Sequence, residues 1–471
     1  MINKKKILII GAGVAGVELL DQINKHLKKI YQVIGFVDDD LKKTNKKIKT
    51  IPVLGTTKSL SRLVKENQIS EVLIAIPSAQ GETIRQIIEQ CQKERVKFKI
   101  IPRLLEIVLG NVKLAQLREV EVVDLLGRPI IKTEQSILIK QFQNKKILVT
   151  GAAGSIGSEL CKQIIQLNPK LLIAFDIWES GLFELEANIR NLKIPAEFKI
   201  VIGNIQDYKR LNNLIGSYIP DIIFHAAAYK HVPLMQKNAS EAVKNNVFGT
   251  ENLVKATLEA NVAKLVNIST DKAADPRNIM GVTKLIGEEI VRYYDNFKKT
   301  KYISVRFGNV LDSQGSVVPI FRKQIQSGGP VTVTSSKMTR FFMTIPEAVQ
   351  LVLQAAILGK GGETFILDMG KPVKIEELAR LMITLAGFIP DEEILIKYIG
   401  KRPGEKIHEV LTSKSEVLTK TENKKIFKIK HRIQNNVKIL KLLENLKKEL
   451  INLNDKKLVE VLKQVAPNLK N

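Results

Sequence analysis

The chain has 471 residues and 44% apolar content, enough for about three domains with large buried cores. Its 74 lysines and arginines exceed its 48 acids to give a formal charge of +26. The excess is mainly lysine spread along the whole chain, not one arginine-rich face, which argues against a nucleic-acid binder. Anionic small molecules or a negative membrane surface remain as partners for that charge. No apolar run approaches the roughly 18 residues of a membrane span. The start, Met1 to Lys6, lacks a signal-peptide pattern. Two distant cysteines without a CxxC pair fit a reducing cytoplasm, and five histidines without ligand spacing give no metal site.

Residues 1–120 alternate short apolar runs with amphipathic stretches. Ile7–Ile10 reads as a first strand, followed by a glycine loop and a helix. Val33–Asp38 and Val72–Pro77 read as further strands. Residues 121–145 read as a connector punctuated by Asp124-Leu125-Leu126-Gly127-Arg128-Pro129. A second series of alternating strands and helices begins at Lys146 and runs through a catalytic-type domain to 410, with a smaller lobe from 310 to 410. Residues 411–471 read as a basic tail with one or two amphipathic helices. The pattern predicts an α/β protein with two doubly wound domains in tandem.

The second glycine loop is the stronger signal. Thr150-Gly151-Ala152-Ala153-Gly154-Ser155-Ile156-Gly157 follows a strand and opens a helix. Such glycines permit a tight turn against a pyrophosphate, and the helix N-terminus adds free N–H groups. Asp176 ends the next strand, where an acid binds ribose hydroxyls and repels a 2′-phosphate, so NAD is expected over NADP. Asn204 and Ile205 are placed to meet the adenine. Ala226, Ala227 and Ala228 are small enough for a dinucleotide to lie against their backbone. The first loop, Gly11-x-Gly13-x-x-Gly16 with Asp38 beyond it, is a weaker signal. It fits either a nucleotide site or a packing domain.

Met280 stands four residues before Lys284. A tyrosine there would share a helix face with the lysine and act as a base while hydride leaves, as in short-chain dehydrogenases. A thioether has no proton to exchange. The neighbouring Thr270-Asp271-Lys272 cluster offers other acid–base groups. Read alone, that cluster also fits a helix cap with exposed lysines.

The motifs together resemble the large nucleotide-sugar 4,6-dehydratases of bacterial polysaccharide biosynthesis, in the extended short-chain dehydrogenase superfamily. The likeness rests on Thr150–Leu160, His225–Met235, Ser269–Lys284, Arg306–Leu311, Met338–Ile345 and Arg402–Lys406. Large members usually begin with transmembrane helices, and here the sequence starts at the first Rossmann-like domain. Asn204 stands where the family commonly has aspartate. Methionine at 280 is a mark of the large members, while the short members that invert C5 usually keep tyrosine. The resemblance implies UDP-N-acetylglucosamine as substrate, NAD as cofactor and retention at C5. Thr270 would bond the sugar O4 and relay its proton. Asp271 would protonate the leaving C6 hydroxyl, which requires a raised pKa. Lys272 would take the C5 proton, which requires a depressed pKa. Lys284 would hold the nicotinamide ribose, and Met280 would pack beside the nicotinamide or sugar.

The same resemblance carries Lys230, Asn309, Arg340, Arg402 and Glu405 over as substrate contacts. Arginines suit a diphosphate because their planar fork donates two hydrogen bonds. His225, ending an apolar strand, reads as a packed residue, while His231 and Trp178 are open between packing and the cleft. Homo-oligomerisation and peripheral contact of the basic tail with the inner membrane face are further expectations. Three other functions stay open: a nucleotide-sugar 4-epimerase, a C5-inverting dehydratase, and a non-catalytic NAD-binding assembly or sensor protein.

Overall fold

The computed structural model describes residues 4–102, 117–125, 135–192, 194–430 and 436–470. The connector residues Leu126 to Pro129 lie outside them. The chain forms two compact units. The first comprises residues 1–132, 321–332 and 376–397, and the second comprises 133–320, 333–375 and 398–471.

The first unit is built on strands β1 (Lys5–Ile10), β2 (Tyr31–Val37), β3 (Lys47–Ile48), β4 (Ile51–Gly55), β5 (Glu71–Ile74) and β6 (Lys97–Ile100). Their order is β3-β4-β2-β1-β5-β6, parallel except for the β3–β4 pair. Alternate residues of β1 feed different cores. Ile7 and Ile9 pack with Leu19 and Leu20, while Leu8 and Ile10 pack with Ile87 and Ile88. A strand buried on both faces explains the unbroken apolar run Ile7–Ile10.

The second unit carries β7 (Lys146–Thr150), β8 (Leu171–Asp176), β9 (Glu197–Ile202), β10 (Ile222–His225), β11 (Lys264–Thr270) and β12 (Lys301–Phe307). They join in the order β12-β11-β10-β7-β8-β9, all parallel. Beyond β12 the sheet continues through Thr364–Leu367, Ile426–Lys430 and Val417–Lys420, the last two antiparallel. The stretch read from sequence as a basic helical tail therefore opens with two sheet strands. Its helices follow at Asn436–Ile451 and Asp455–Val465. They bury Leu443, Leu446, Leu458 and Leu462 in the same core as Leu148, Ile173 and Leu265. Their apolar stripes therefore have a partner within the unit. Among the described residues no helix is long and apolar enough to cross a membrane.

Two buried polar devices lock this sheet. Arg306 on β12 is fully buried. Its Nη2 donates to Glu288 Oε2 at 2.7 Å and to Glu416 Oε1 at 3.1 Å. Its Nη1 donates to Glu416 Oε2 at 2.9 Å, and its Nε to Glu288 Oε1 at 3.1 Å. Ser269 on β11 donates to Glu288 as well. His225 is the second device. Its Nδ1 lies 2.8 Å from Thr150 Oγ1 and its Nε2 3.0 Å from Thr250 Oγ1. This position agrees with a structural histidine.

Each device gives a stability prediction. Arg306→Ala strands the buried Glu288 carboxylate and unpairs the partly exposed Glu416, and is expected to cost about 3–5 kcal/mol, read as a lower urea midpoint. Burial, aided by the nearby Lys284 ammonium, pushes the His225 imidazole down to about 3. A lowered histidine pKa means that the unfolded chain binds the extra proton, so stability falls as pH drops through the unfolded value near 6.5. Between pH 7.5 and 5.5 this group alone should remove ~1.4 kcal/mol. Urea unfolding of His225→Gln should lack that share of the pH dependence, and identical dependence in both proteins would contradict it.

Candidate functional site

The glycine loop of the second unit lies between β7 and the Ser155–Ile165 helix. Gly151 has φ +68°, and a Cβ there would stand 2.4 Å from the Ala227 nitrogen. A Cβ on Gly157 would stand 1.9 Å from the Gly151 carbonyl oxygen. Only glycine fits both places, and the fit brings Ala226 and Ala227 against the loop. Gly154 caps the helix without a side-chain bond, so its first N–H groups are open to an anion. Ser155 Oγ accepts from Gln314 N at 3.1 Å. Asp176 accepts from Ala153 N and Trp178 N, both at 2.9 Å. Asn204 accepts from Gln206 N at 2.9 Å, and Ile205 is buried. A Cβ at Gly181 would run into the Trp178 ring, which therefore lies over that helix. These residues form a cradle of the shape and polarity that a dinucleotide requires.

The second cluster lies at the carboxyl end of β11. Thr270 ends the strand, Asp271–Ala273 form a 3₁₀ turn, and the Ile279–Asp295 helix follows. Asn278 starts that helix by accepting from Gly281 N at 2.8 Å, and its amide donates to the Gly404 carbonyl at 3.1 Å. This bond ties the 404–409 segment to the turn. The β11–β12 register pairs Thr270 with Phe307, which carries Asn309 towards the same turn.

Asp271 is fully buried. Its Oδ1 accepts from Thr270 Oγ1 at 2.9 Å and from Lys272 Nζ at 3.0 Å. Its Oδ2 is buried and makes no hydrogen bond to a described residue. Gly308 leaves that oxygen room, because a Cβ there would stand 3.2 Å from it. Lys272 Nζ also donates to Asn309 Oδ1 at 3.3 Å and lies 3.6 Å from Glu409 Oε1. Burial lowers the Lys272 pKa, but the Asp271 and Glu409 carboxylates outweigh it and hold the amine above its ordinary value. The depressed pKa expected from sequence is thus not the state of this arrangement, because a second carboxylate faces the ammonium.

Arg340 Nε lies 3.8 Å from Glu409 Oε1, and its Nη2 lies 4.0 Å from Glu405 Oε1. Its Nη1 donates to the Thr339 and Ile407 carbonyls at 2.8 and 3.1 Å. Arg402 is exposed, and its backbone N–H donates to Glu405 Oε2 at 3.2 Å. Thr270, Asp271, Lys272, Asn309, Arg340 and Glu405 thus form one connected cluster. Lys230 is exposed on the loop after β10, and His231 beside it packs against Gly315.

Lys284 is buried, which pushes its ammonium down to about 8 against the opposing pull of Glu288. Met280 is also buried and joins the apolar core with Met235, Val282 and Ile286. Gln236 accepts from Ile279 N at 3.2 Å and donates to the Lys470 carbonyl at 2.7 Å, while Lys470 N donates to Arg277 O at 3.2 Å. The end of the described chain therefore braces the start of this helix.

Sequence reasoning missed two residues. Glu409 had no motif of its own and is marked only by its distance to Lys272. Asn246 lies in a π-helical turn, Lys244–Phe248, a distortion common at functional sites. Its amide holds the Tyr229 backbone on both sides and donates to Thr283 Oγ1 at 3.1 Å.

Known proteins resemble this chain in sequence and fold. The model of the polysaccharide biosynthesis protein family matches residues 147–431, and that of a CoA-binding domain matches residues 2–102. The capsular polysaccharide biosynthesis protein CapD of Staphylococcus aureus is 40% identical over 95% of this chain and 76% of its own length. A UDP-N-acetylglucosamine 4,6-dehydratase (inverting) of Campylobacter jejuni is 35% identical over 58% of this chain and 79% of its own. The crystal structure of Pen from Bacillus thuringiensis is similar with a TM-score of 0.58 at 35% identity, covering 63% of this chain and 92% of that one. With its family's motif region spanning most of the second unit, the chain belongs to the polysaccharide biosynthesis protein family.

Proposed function

We propose that the protein is an NAD-dependent nucleotide-sugar 4,6-dehydratase acting on UDP-N-acetylglucosamine. The observation that carries this reading is the buried Asp271–Lys272 ion pair, which also holds Thr270, on the unit that bears the dinucleotide cradle. The name of the Campylobacter relative supports the substrate and reaction class. Gly151, Gly154, Ser155, Ile156, Gly157, Asp176, Asn204, Ile205, Ala226, Ala227, Ala228 and Lys284 would hold NAD. When bound, NAD supplies the acceptor and later the donor of the hydride exchanged with the sugar.

The acid–base work falls to this chain's own side chains. Thr270 hydrogen-bonds the sugar O4 and passes its proton on. A threonine hydroxyl is a weak base and needs a neighbour; the Asp271 Oδ1 carboxylate at 2.9 Å polarises it, and the O4 proton leaves through Thr270 to solvent. The resting Lys272 ammonium cannot take a proton. Transfer of one proton from Lys272 Nζ to Asp271 Oδ1 across 3.0 Å gives a neutral amine and a neutral carboxyl. The amine then takes the C5 proton, made acidic by the 4-ketone, and the carboxyl protonates the departing C6 hydroxyl as water. That restores the ion pair; as C6 is reduced, the Lys272 ammonium returns a proton to C5 and regains one from solvent, matching the O4 proton released through Thr270, so the proton count closes. An epimerase has no need of the elimination acid. Arg340, Lys230 and Arg402 are proposed to meet the diphosphate, Glu405 the uridine ribose and Asn309 the sugar.

Retention at C5 is the finer part of the proposal and rests on Met280. The Campylobacter relative is named as inverting, so the ring couplings of the product decide this point. Lys272→Ala is expected to bind NAD as the wild type does and to lose turnover by at least about 100-fold, the usual contribution of a general base. Wild-type turnover in that variant would remove Lys272 from the chemistry.

A further inference from the structure

Glu409 is nearly buried, with its side chain 4% exposed. Its Oε1 faces both Lys272 Nζ, at 3.6 Å, and Arg340 Nε, at 3.8 Å. Its Oε2 is buried and makes no hydrogen bond to a described residue. A carboxylate so placed is costly unless cations offset it. The charges form two opposed pairs: Asp271 and Glu409 are negative, and Lys272 and Arg340 are positive. Glu409 offsets Arg340. The remaining proton can then sit on Lys272 or on Asp271 without changing the net charge of the array. Without Glu409, the Arg340 guanidinium would be opposed only by the more distant Glu405, at 4.0 Å, and would act more strongly on Lys272.

We propose that Glu409 is a positioning residue that holds the Lys272 ammonium and the Arg340 guanidinium in one buried array and delays release of the Lys272 proton. The groups facing Lys272 are Asp271 from its own turn, Arg340 from the Thr339–Arg340 strand, Glu409 from the segment after Gly404, and the neutral Asn309. Lys406 also acts on Glu409 and pairs with Asp275 at 3.6 Å. The sign follows directly. Removing a nearby negative charge disfavours the ammonium, so the neutral amine forms at lower pH. The inference deepens the dehydratase reading by naming what controls its base, yet the titration of Lys272 belongs to the protein alone.

The test uses the full chain as wild type, Glu409→Gln and Glu409→Asp. Each is labelled with acetic anhydride across a pH series, and acetylation of Lys272 is read by peptide mass spectrometry. Glu409→Gln is expected to move the Lys272 titration down by about one to three units, the range for losing one adjacent opposite charge, and Glu409→Asp to restore most of it. The pH limb of kcat should move in the same direction. A folded Glu409→Gln protein whose Lys272 titrates within about half a unit of wild type would overturn the proposal. If Glu409→Gln fails to fold, Arg340→Gln serves instead. Loss of that positive charge must raise the Lys272 titration, and no change or a fall would overturn the proposal. Absence of wild-type turnover would sink the dehydratase reading and leave the labelling result readable.

Discussion

A lysine ammonium facing two buried carboxylates is the constraint around which the second unit is arranged. Lys272 contacts Asp271 on its own turn and Glu409 from a distant segment. Each carboxylate keeps one buried oxygen with no hydrogen bond to a described residue. Holding such an array demands rigid support, because a displaced partner leaves a buried charge unpaired. The support is visible on every side. The register of β11 with β12 carries Asn309 to Lys272. Asn278 joins the Ile279–Asp295 helix to Gly404. Arg306 ties that helix, through Glu288, to the loop that carries Glu416.

The two units share one construction at their glycine loops. A Cβ on Gly16 would strike the Gly11 carbonyl at 1.9 Å, as one on Gly157 would strike Gly151. Asp38 accepts from Ala12 N at 2.7 Å, as Asp176 accepts from Ala153 N at 2.9 Å. The electrostatics differ, however. Asp38 is also paired with Lys43 at 3.0 Å, so its charge is partly offset where a ribose hydroxyl would need an acceptor. The shared geometry speaks for a common fold.

The fold class was legible because its signals are local. Apolar runs such as Ile7–Ile10 mark strands buried on both faces, and the glycines announce strand-to-helix turns. Thr270, Asp271 and Lys272 are consecutive, so their proximity needed no long-range information. Glu409 could not be found this way, because its meaning depends on chain return across the sheet edge. For the same reason the sign of the Lys272 pKa was missed: Asp271 was in view, but the second carboxylate was not. The strands Val417–Lys420 and Ile426–Lys430 were hidden by their short length and their lysines. The apolar face of the C-terminal helices was legible, whereas its burial against the central core was not, since periodicity names a face and not its partner.

The account stands or falls on water elimination at the sugar. The most direct measurement is an NMR time course of the protein with UDP-N-acetylglucosamine and NAD in deuterated water. The account predicts a 4-keto-6-deoxy product carrying deuterium at C5, with ring couplings that report retention. An N-acetylgalactosamine product, or bound NAD with no change in the sugar, would contradict it.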